Sequence, residues 1–318
     1  MSVLGFVARL PSSVLKLCHI IRKVNPDVVH TNTSLIISSG FAAKICRRPH
    51  VWHVRESFGE FGRIWKYYRT LIQRFSDVVI CVSTPIAQQF ALERKNCRVV
   101  VLHNGIPREE FDGVTLERIE EFKRAHELCG HPLVGVIGRI KIRRKGQEVF
   151  LKAAAILKEH FPEVRFLLIG SPFPGNESHL EAVLKLSGDL GLADRLVYTG
   201  DVEDIKAAHS ALDVSVLPSV SPEPFGGVVL EAMALSRAVV GTRTGGTVEQ
   251  IDHEVTGLLV QPDDAADMAS AIRRLLEDEK LRDEMGRNGR ERFLSRFEFE
   301  RFYSRILSIY HDLPKCPR

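Results

Sequence analysis

Short runs of Val, Ile and Leu alternate along this chain with longer stretches whose apolar residues recur every three or four positions. That alternation predicts βα units and parallel sheets. In the first part, strands are expected at 27–31, 51–54, 77–82 and 99–102, with helices at 12–24, 35–46, 60–75 and 84–93. In the second part, strands are expected at 133–138, 165–170, 196–200, 214–217, 239–241 and 257–260. Helices fall at 146–159, 178–190, 203–210, 226–235 and 264–276, and 278–318 reads as helices with no strand between them. The segments LLIG, VSVL and AVVG are apolar throughout, as in strands covered on both faces. The charged run 108–131 interrupts the pattern and predicts a domain boundary near 125.

A length of 318 residues suits two domains. Apolar residues make up 44% and charged residues 26%, which excludes general disorder, collagen and a pure coiled coil. No apolar stretch approaches the roughly 18 residues of a membrane span. The N-terminus is apolar, lacks a basic flank and is interrupted by Arg9, which predicts no cleaved leader. The six cysteines (Cys18, Cys46, Cys81, Cys97, Cys129 and Cys316) form no CxxC pair. Neither a zinc site nor a disulfide scaffold is expected, and a reducing, cytoplasmic setting is.

The net charge of +4 is uneven: residues 1–130 hold 19 Lys and Arg against 12 Asp and Glu. Lys44, Arg47, Arg48, Arg55, Arg63, Lys66, Arg69 and Arg74 crowd one segment opposed only by Glu56 and Glu60. The segment 63–74 (RIWKYYRTLIQR) interleaves bases with aromatics, which suits peripheral contact with an anionic membrane face. A solvated helix face has the same composition.

Three constellations carry candidate chemistry. In 218–242, a strand ends in a Pro/Ser loop, Gly226 and Gly227 open a helix, and Glu223 and Glu231 stand eight residues apart. Ligands of open parallel sheets sit at the carboxyl ends of strands, where helix N-termini favour anions. A carboxylate there accepts the two hydroxyl protons of a ribose diol. A helix cap at Glu223 with a surface Glu231 fits the same spacing. In 138–146 (GRIKIRRKG), Arg139 and Lys145 suit a diphosphate, and an exposed basic turn is the alternative. In 50–57, His53 and Arg55 end a strand. The imidazole suits contact with a substrate hydroxyl, or a structural role. His30, HNGIP at 103–107 and GGTVEQI at 245–251 add weaker strand-end turns.

Together these residues resemble the retaining family-4 glycosyltransferases of GT-B fold. That family's E-P-F-G-x4-E-A-M-A pattern appears as Glu223-Pro224-Phe225-Gly226 and Glu231-Ala232-Met233-Ala234. Its G-R-x5-K-G appears as Gly138-Arg139 and Lys145-Gly146, its P-N-G turn as Asn104-Gly105, and its G-G-x-x-E-x-I stretch within 245–260. Four motifs in the family's order cover about 75–318, and more loosely 26–75.

The resemblance implies an α/β chain of two Rossmann-like domains facing a cleft, the N-terminal one incomplete. The implied domains are an acceptor-side domain at 1–125, a nucleotide-sugar domain at 126–295 and a helix at 296–318 crossing back to the first. It further implies transfer of a sugar from a nucleotide-diphosphate donor to a glycan or lipid-linked acceptor, with no metal, no other cofactor and no nucleic acid. Arg139 and Lys145 would bind the diphosphate and Glu231 the ribose. Glu223, with the backbone of Phe225, Gly226 and Gly227, would hold the donor sugar, and His53 would stand near the anomeric carbon.

Family members open with a strand and a glycine-rich loop that precede the present Met1, and Ser236 and Arg237 depart from the usual small residues. A non-catalytic donor-binding remnant or subunit is therefore one alternative. A nucleotide-sugar epimerase of the same fold is another. A phosphorylase would need a cofactor lysine site, which the sequence does not display.

Overall fold

A computed structural model describes residues 3–58, 62, 64–90 and 97–314. Arg63, Glu60, Cys316 and the end of the helix expected at 84–93 lie outside the described residues. The chain divides into two compact units, residues 1–104 with 301–318, and residues 105–300.

The first unit holds a parallel sheet of four strands in chain order: β1 (Val29–Thr31), β2 (His50–Val54), β3 (Val78–Cys81) and β4 (Arg98–Val101). The register pairs Trp52 with both Thr31 and Val79. Strands β2 and β3 are buried along their whole length, whereas β4 at one edge is half exposed. Side chains of a strand alternate between faces, so β2 serves two cores. Val51 joins Val78, Ile80 and Leu102 under the last helix of the chain, α13 (Phe299–His311), through Ile309 and by way of Leu313 just beyond it. On the other face Trp52 meets α2 (Ile37–Ile45) at Gly40, where a Cβ would stand 2.9 Å from the indole.

Helix α1 (Val3–Val24) packs on α2 through Cys18, Ile21 and Ala42. It starts earlier than the expected residue 12 and runs through Pro11. Proline removes one intrahelical donor, and at this turn the Ser12 hydroxyl donates to the Arg9 carbonyl at 3.0 Å. Helix α3 (Ile64–Arg74) buries Ile72 and stacks Trp65 on Phe58 at 3.8 Å between ring centroids. The short α4 (Thr84–Ala87) passes into a 3-10 turn ending at Phe90.

The second unit is a six-stranded parallel sheet. Its strands are β5 (Leu133–Ile137), β6 (Arg165–Ile169), β7 (Leu196–Gly200), β8 (Val214–Leu217), β9 (Ala238–Thr242) and β10 (Leu258–Val260). Their order is β10-β9-β8-β5-β6-β7. The winding reverses between β5 and β8, the point at which doubly wound sheets open a crevice for ligands. One face is covered by α6 (Gln147–Leu157), α7 (Ser178–Asp189), α11 (Ala265–Glu277) and α12 (Glu279–Arg296), around Phe150, Phe166, Met268 and Met285. The other carries α5 (Leu116–Ala125) and α8 (Ile205–Ala211), around Phe122, Leu128 and Leu212. Helices α9 (Gly227–Ala234) and α10 (Thr247–Gln250) lead from the carboxyl ends of β8 and β9.

Helix α5 lies inside the charged run expected to mark a boundary. Thr115 caps it by accepting from the Arg118 amide, and Leu116, Ile119 and Phe122 repeat at helical spacing. Phe122 anchors it beneath α8, so the compact units divide after Asn104 rather than near 125.

Candidate functional site

The loop after β5 and the loop after β8 lock together by backbone contacts. The Arg144 carbonyl accepts from the amides of Val220 (3.1 Å) and Ser221 (3.3 Å). Gly146 turns the chain into α6 at φ +71°, where a Cβ would stand 1.8 Å from the Pro218 carbonyl oxygen. Gln147, 1% exposed, anchors the loop from behind by donating to the Arg139 carbonyl at 3.1 Å. This brings Lys145 Nζ within 2.6 Å of Glu223 Oε2, with Ser219 Oγ donating to the same oxygen at 3.4 Å.

The backbone of the second loop is fixed with equal care. The Glu223 carbonyl accepts from the Gly246 amide at 2.7 Å, and Gly245, at φ +56°, approaches so closely that a Cβ would lie 2.1 Å from that oxygen. Gln250, fully buried, grips Gly226 at both backbone atoms, accepting from its amide at 3.2 Å and donating to its carbonyl at 2.7 Å. Phe225 is buried edge-on against Phe297. Gly227 then begins α9, and Glu231 Oε1 stands 3.4 Å from where a Gly227 Cβ would be. The other oxygen, Oε2, faces His209 Nε2 at 2.9 Å.

Arg139 starts from the same loop as Lys145 and turns toward β6 and β7. Its guanidinium stands 3.6 Å from Asp201 Oδ2 and 4.9 Å from the centre of the half-exposed Phe173 ring. Beside Asp201, a cavity of about 240 Å³ opens between α5 and the loop after β7, bordered by Arg118, Phe122, Thr199 and Asp204. Lys145 thus meets Glu223 at the switch point, Gly226, Gly227 and Glu231 follow at the start of α9, and Arg139 stands on the β7 side beside Asp201. Sequence reasoning missed His209, Gln250, Asp201 and Phe173. Each acts across strands, and no local spacing signals such a contact. Among the described residues no cluster of three or more His, Cys, Asp or Glu side chains is gathered as for a metal ion.

In the first unit, His53 lies near the end of β2, is 1% exposed, and carries a buried Nε2 without a hydrogen-bond partner among the described residues. Burial, with Arg55 and His30 nearby, lowers its pKa to about 3, so the imidazole is neutral at pH 7. His30 Nδ1 lies 2.5 Å from the Tyr310 hydroxyl of α13. His50, on the opposite face, holds Thr31 Oγ1 at 2.8 Å and the Phe75 carbonyl at 2.7 Å, and burial lowers it to about 4.

Both histidines take up protons more readily when unfolded, where the ordinary value is about 6.5. Their contribution to stability is complete above pH 6.5 and is lost as pH falls toward about 4 for His50 and about 3 for His53. The slope approaches about 1.4 kcal/mol per pH unit for each histidine. Urea unfolding between pH 7.5 and 5 is expected to show this loss, with a shallower slope in His53→Gln. An unchanged slope in that variant would contradict a neutral, buried His53.

Both units are all-parallel α/β sheets, the second in doubly wound order with its loops converging at the switch point. The glycosyl transferases group 1 family matches residues 118–292, and Glycosyltransferase Family 4 matches residues 2–110. The chain belongs to this glycosyltransferase family. It is 32% identical, over 69% of its length and 52% of the relative's, to a D-inositol 3-phosphate glycosyltransferase of Corynebacterium urealyticum. The chain therefore spans about half the length of that relative. It is 27% identical to the capsular polysaccharide biosynthesis glycosyltransferase CapM of Staphylococcus aureus, over 95% of this chain and 81% of that one. Among solved structures, Anabaena Alr3699/HepE in complex with UDP-glucose superposes with a TM-score of 0.86 at 25% identity, covering 94% of this chain and 82% of its own. The sucrose-phosphate synthase of Thermosynechococcus elongatus superposes at 0.78 with 26% identity, covering 98% and 79%. These matches carry the GT-B fold.

Proposed function

We propose that this chain is a retaining glycosyltransferase whose second unit holds a nucleotide-diphosphate sugar. The contact between Lys145 and Glu223 carries the reading, because it joins the basic loop of β5 to the acidic loop of β8 at the switch point. Lys145 offers three donors, so it can hold Glu223 and a phosphate oxygen together. Arg139 neutralises the remaining diphosphate charge, which improves the leaving group. Glu231 accepts from the ribose hydroxyls. Glu223 and the backbone at Phe225, Gly226 and Gly227 orient the donor sugar, and the neutral His53 meets a substrate hydroxyl.

The anomeric carbon–oxygen bond breaks toward the diphosphate while the acceptor hydroxyl oxygen bonds to the same face. The acceptor proton passes to the departing phosphate oxygen, so the step balances with no metal and no further cofactor. UDP-glucose in the Anabaena structure supports a nucleotide-sugar donor, and the polysaccharide-biosynthesis role of CapM supports a glycan acceptor, with a lipid-linked one as part of the same proposal. Titration and turnover with UDP-, GDP- and ADP-sugars test the proposal. Binding with transfer supports it, and binding without turnover favours a donor-binding subunit. An epimerised nucleotide sugar indicates the epimerase, and absence of binding refutes a donor site.

We also propose peripheral contact with the inner face of the cytoplasmic membrane through α3. Tyr67 is 80% exposed there, with Lys66 and Arg74 also exposed, and no described helix is long and apolar enough to cross a bilayer. Vesicles containing phosphatidylglycerol are expected to sediment the protein at low salt and release it as salt rises. Absence of co-sedimentation at low salt refutes the contact.

A further inference from the structure

His209 lies on the last turn of α8 and is fully buried. Its ring has a single hydrogen-bond partner among the described residues, Glu231 Oε2 at 2.9 Å, and its Nδ1 has none. A carboxylate accepts, so it is Nε2 that donates in this contact. Leaving a buried ring nitrogen unpaired is unfavourable, and among the described residues Glu231 is the polar group this buried ring serves.

The contact constrains the carboxylate. Glu231 sits on α9 with its side chain 28% exposed, and a glutamate there has three rotatable bonds. With Oε2 tethered to α8, Oε1 stays beside Gly227 at the start of α9. Gly227 carries no side chain, so that oxygen remains open to a ligand.

We propose that His209 is a positioning residue that orients the Glu231 carboxylate toward a vicinal diol. It thereby makes the site select ribonucleotides over deoxyribonucleotides. The inference rests on the donor reading above. A pre-oriented acceptor gains most from a ligand presenting both hydroxyls, and gains little from one that lacks the 2′-hydroxyl.

Calorimetric titration of UDP, GDP and ADP, each beside its 2′-deoxy counterpart, tests it. The wild-type protein is expected to prefer the best-bound ribonucleotide by about tenfold or more. His209→Phe keeps the ring volume and removes the donor. It is expected to weaken that ribonucleotide about tenfold, change the deoxy form less than about twofold and erase the preference. His209→Gln, whose amide reaches about where Nε2 lies, is expected to restore most of it. On a Glu231→Gln background, His209→Phe is expected to add nothing.

Should His209→Phe not fold, His209→Asn, too short to reach Glu231, carries the same expectation. A preference that survives these variants, or an equal loss for both sugars, overturns the inference while leaving the donor reading intact. Failure of the wild-type protein to bind any of the nucleotides overturns both.

Discussion

Lys145→Ala is expected to lower kcat/KM for the best donor about a thousandfold, or about 4 kcal/mol of transition-state stabilisation, while leaving the fold intact. Lys145 is the cation that Glu223 holds at 2.6 Å, and it leaves a loop whose backbone is fastened to the β8 loop at Val220 and Ser221. Its charge therefore arrives already placed, and preorganised charge acts most strongly when the leaving group gains negative charge. The pair is partly exposed, with side-chain accessibilities of 29% and 19%, so its loss alters stability by no more than about 1 kcal/mol. Lys145→Arg keeps the charge but replaces a compact ammonium with a wider fork, and an intermediate rate is expected. Initial rates beside melting curves check this. A rate loss below about threefold, or one that merely tracks a fall in Tm, would remove Lys145 from the reaction.

Gly146→Ala is expected to destabilise the second unit by about 2–4 kcal/mol. About 1 kcal/mol comes from the left-handed backbone and the rest from overlap with a carbonyl that has little room to move. The added methyl would lie 1.8 Å from the Pro218 oxygen, and Pro218 begins the loop that carries Glu223. The lowered Tm, about 5–15 °C by calorimetry, should come with weakened nucleotide binding, because relieving the overlap separates the two loops. Gly113→Ala makes a fair control. It has φ +75° but no atom of the described residues within 4 Å of its Cβ, so it bears the backbone cost alone. Equal effects at the two positions would show that loop contact contributes nothing.

Legibility from sequence followed the range of each interaction. Strand-forming runs such as VVIC and LLV announced themselves because backbone pairing and two-sided burial select apolar residues locally. The glycines at 226, 227, 245 and 246 were visible as turn signals, and the structure gives the reason: backbone atoms of Glu223 and Pro224 pass where side chains would stand beside Gly245 and Gly246. Helix α5 was hidden because its polar residues outnumber its apolar ones, and only packing beneath α8 reveals which side Leu116, Ile119 and Phe122 share. The start of α1 was obscured by Pro11, which ordinarily ends a helix. His209 looked like any histidine in an alanine-rich helix, and Gln250 like a surface amide at a helix end.

Taken alone, the chain's order of residues settled the element types, the parallel character of both sheets and the set of loops bearing charge. Those properties depend on periods of two to four residues and on neighbours a few positions apart. Strand order was decided only in three dimensions, since inserting β8 beside β5 is a matter of global burial. That insertion brings Lys145 to Glu223 across 78 positions, and the packing of α8 on the same sheet brings His209 to Glu231 across 22. Contacts at such separations rest on the whole sheet, and no short stretch of sequence encodes them.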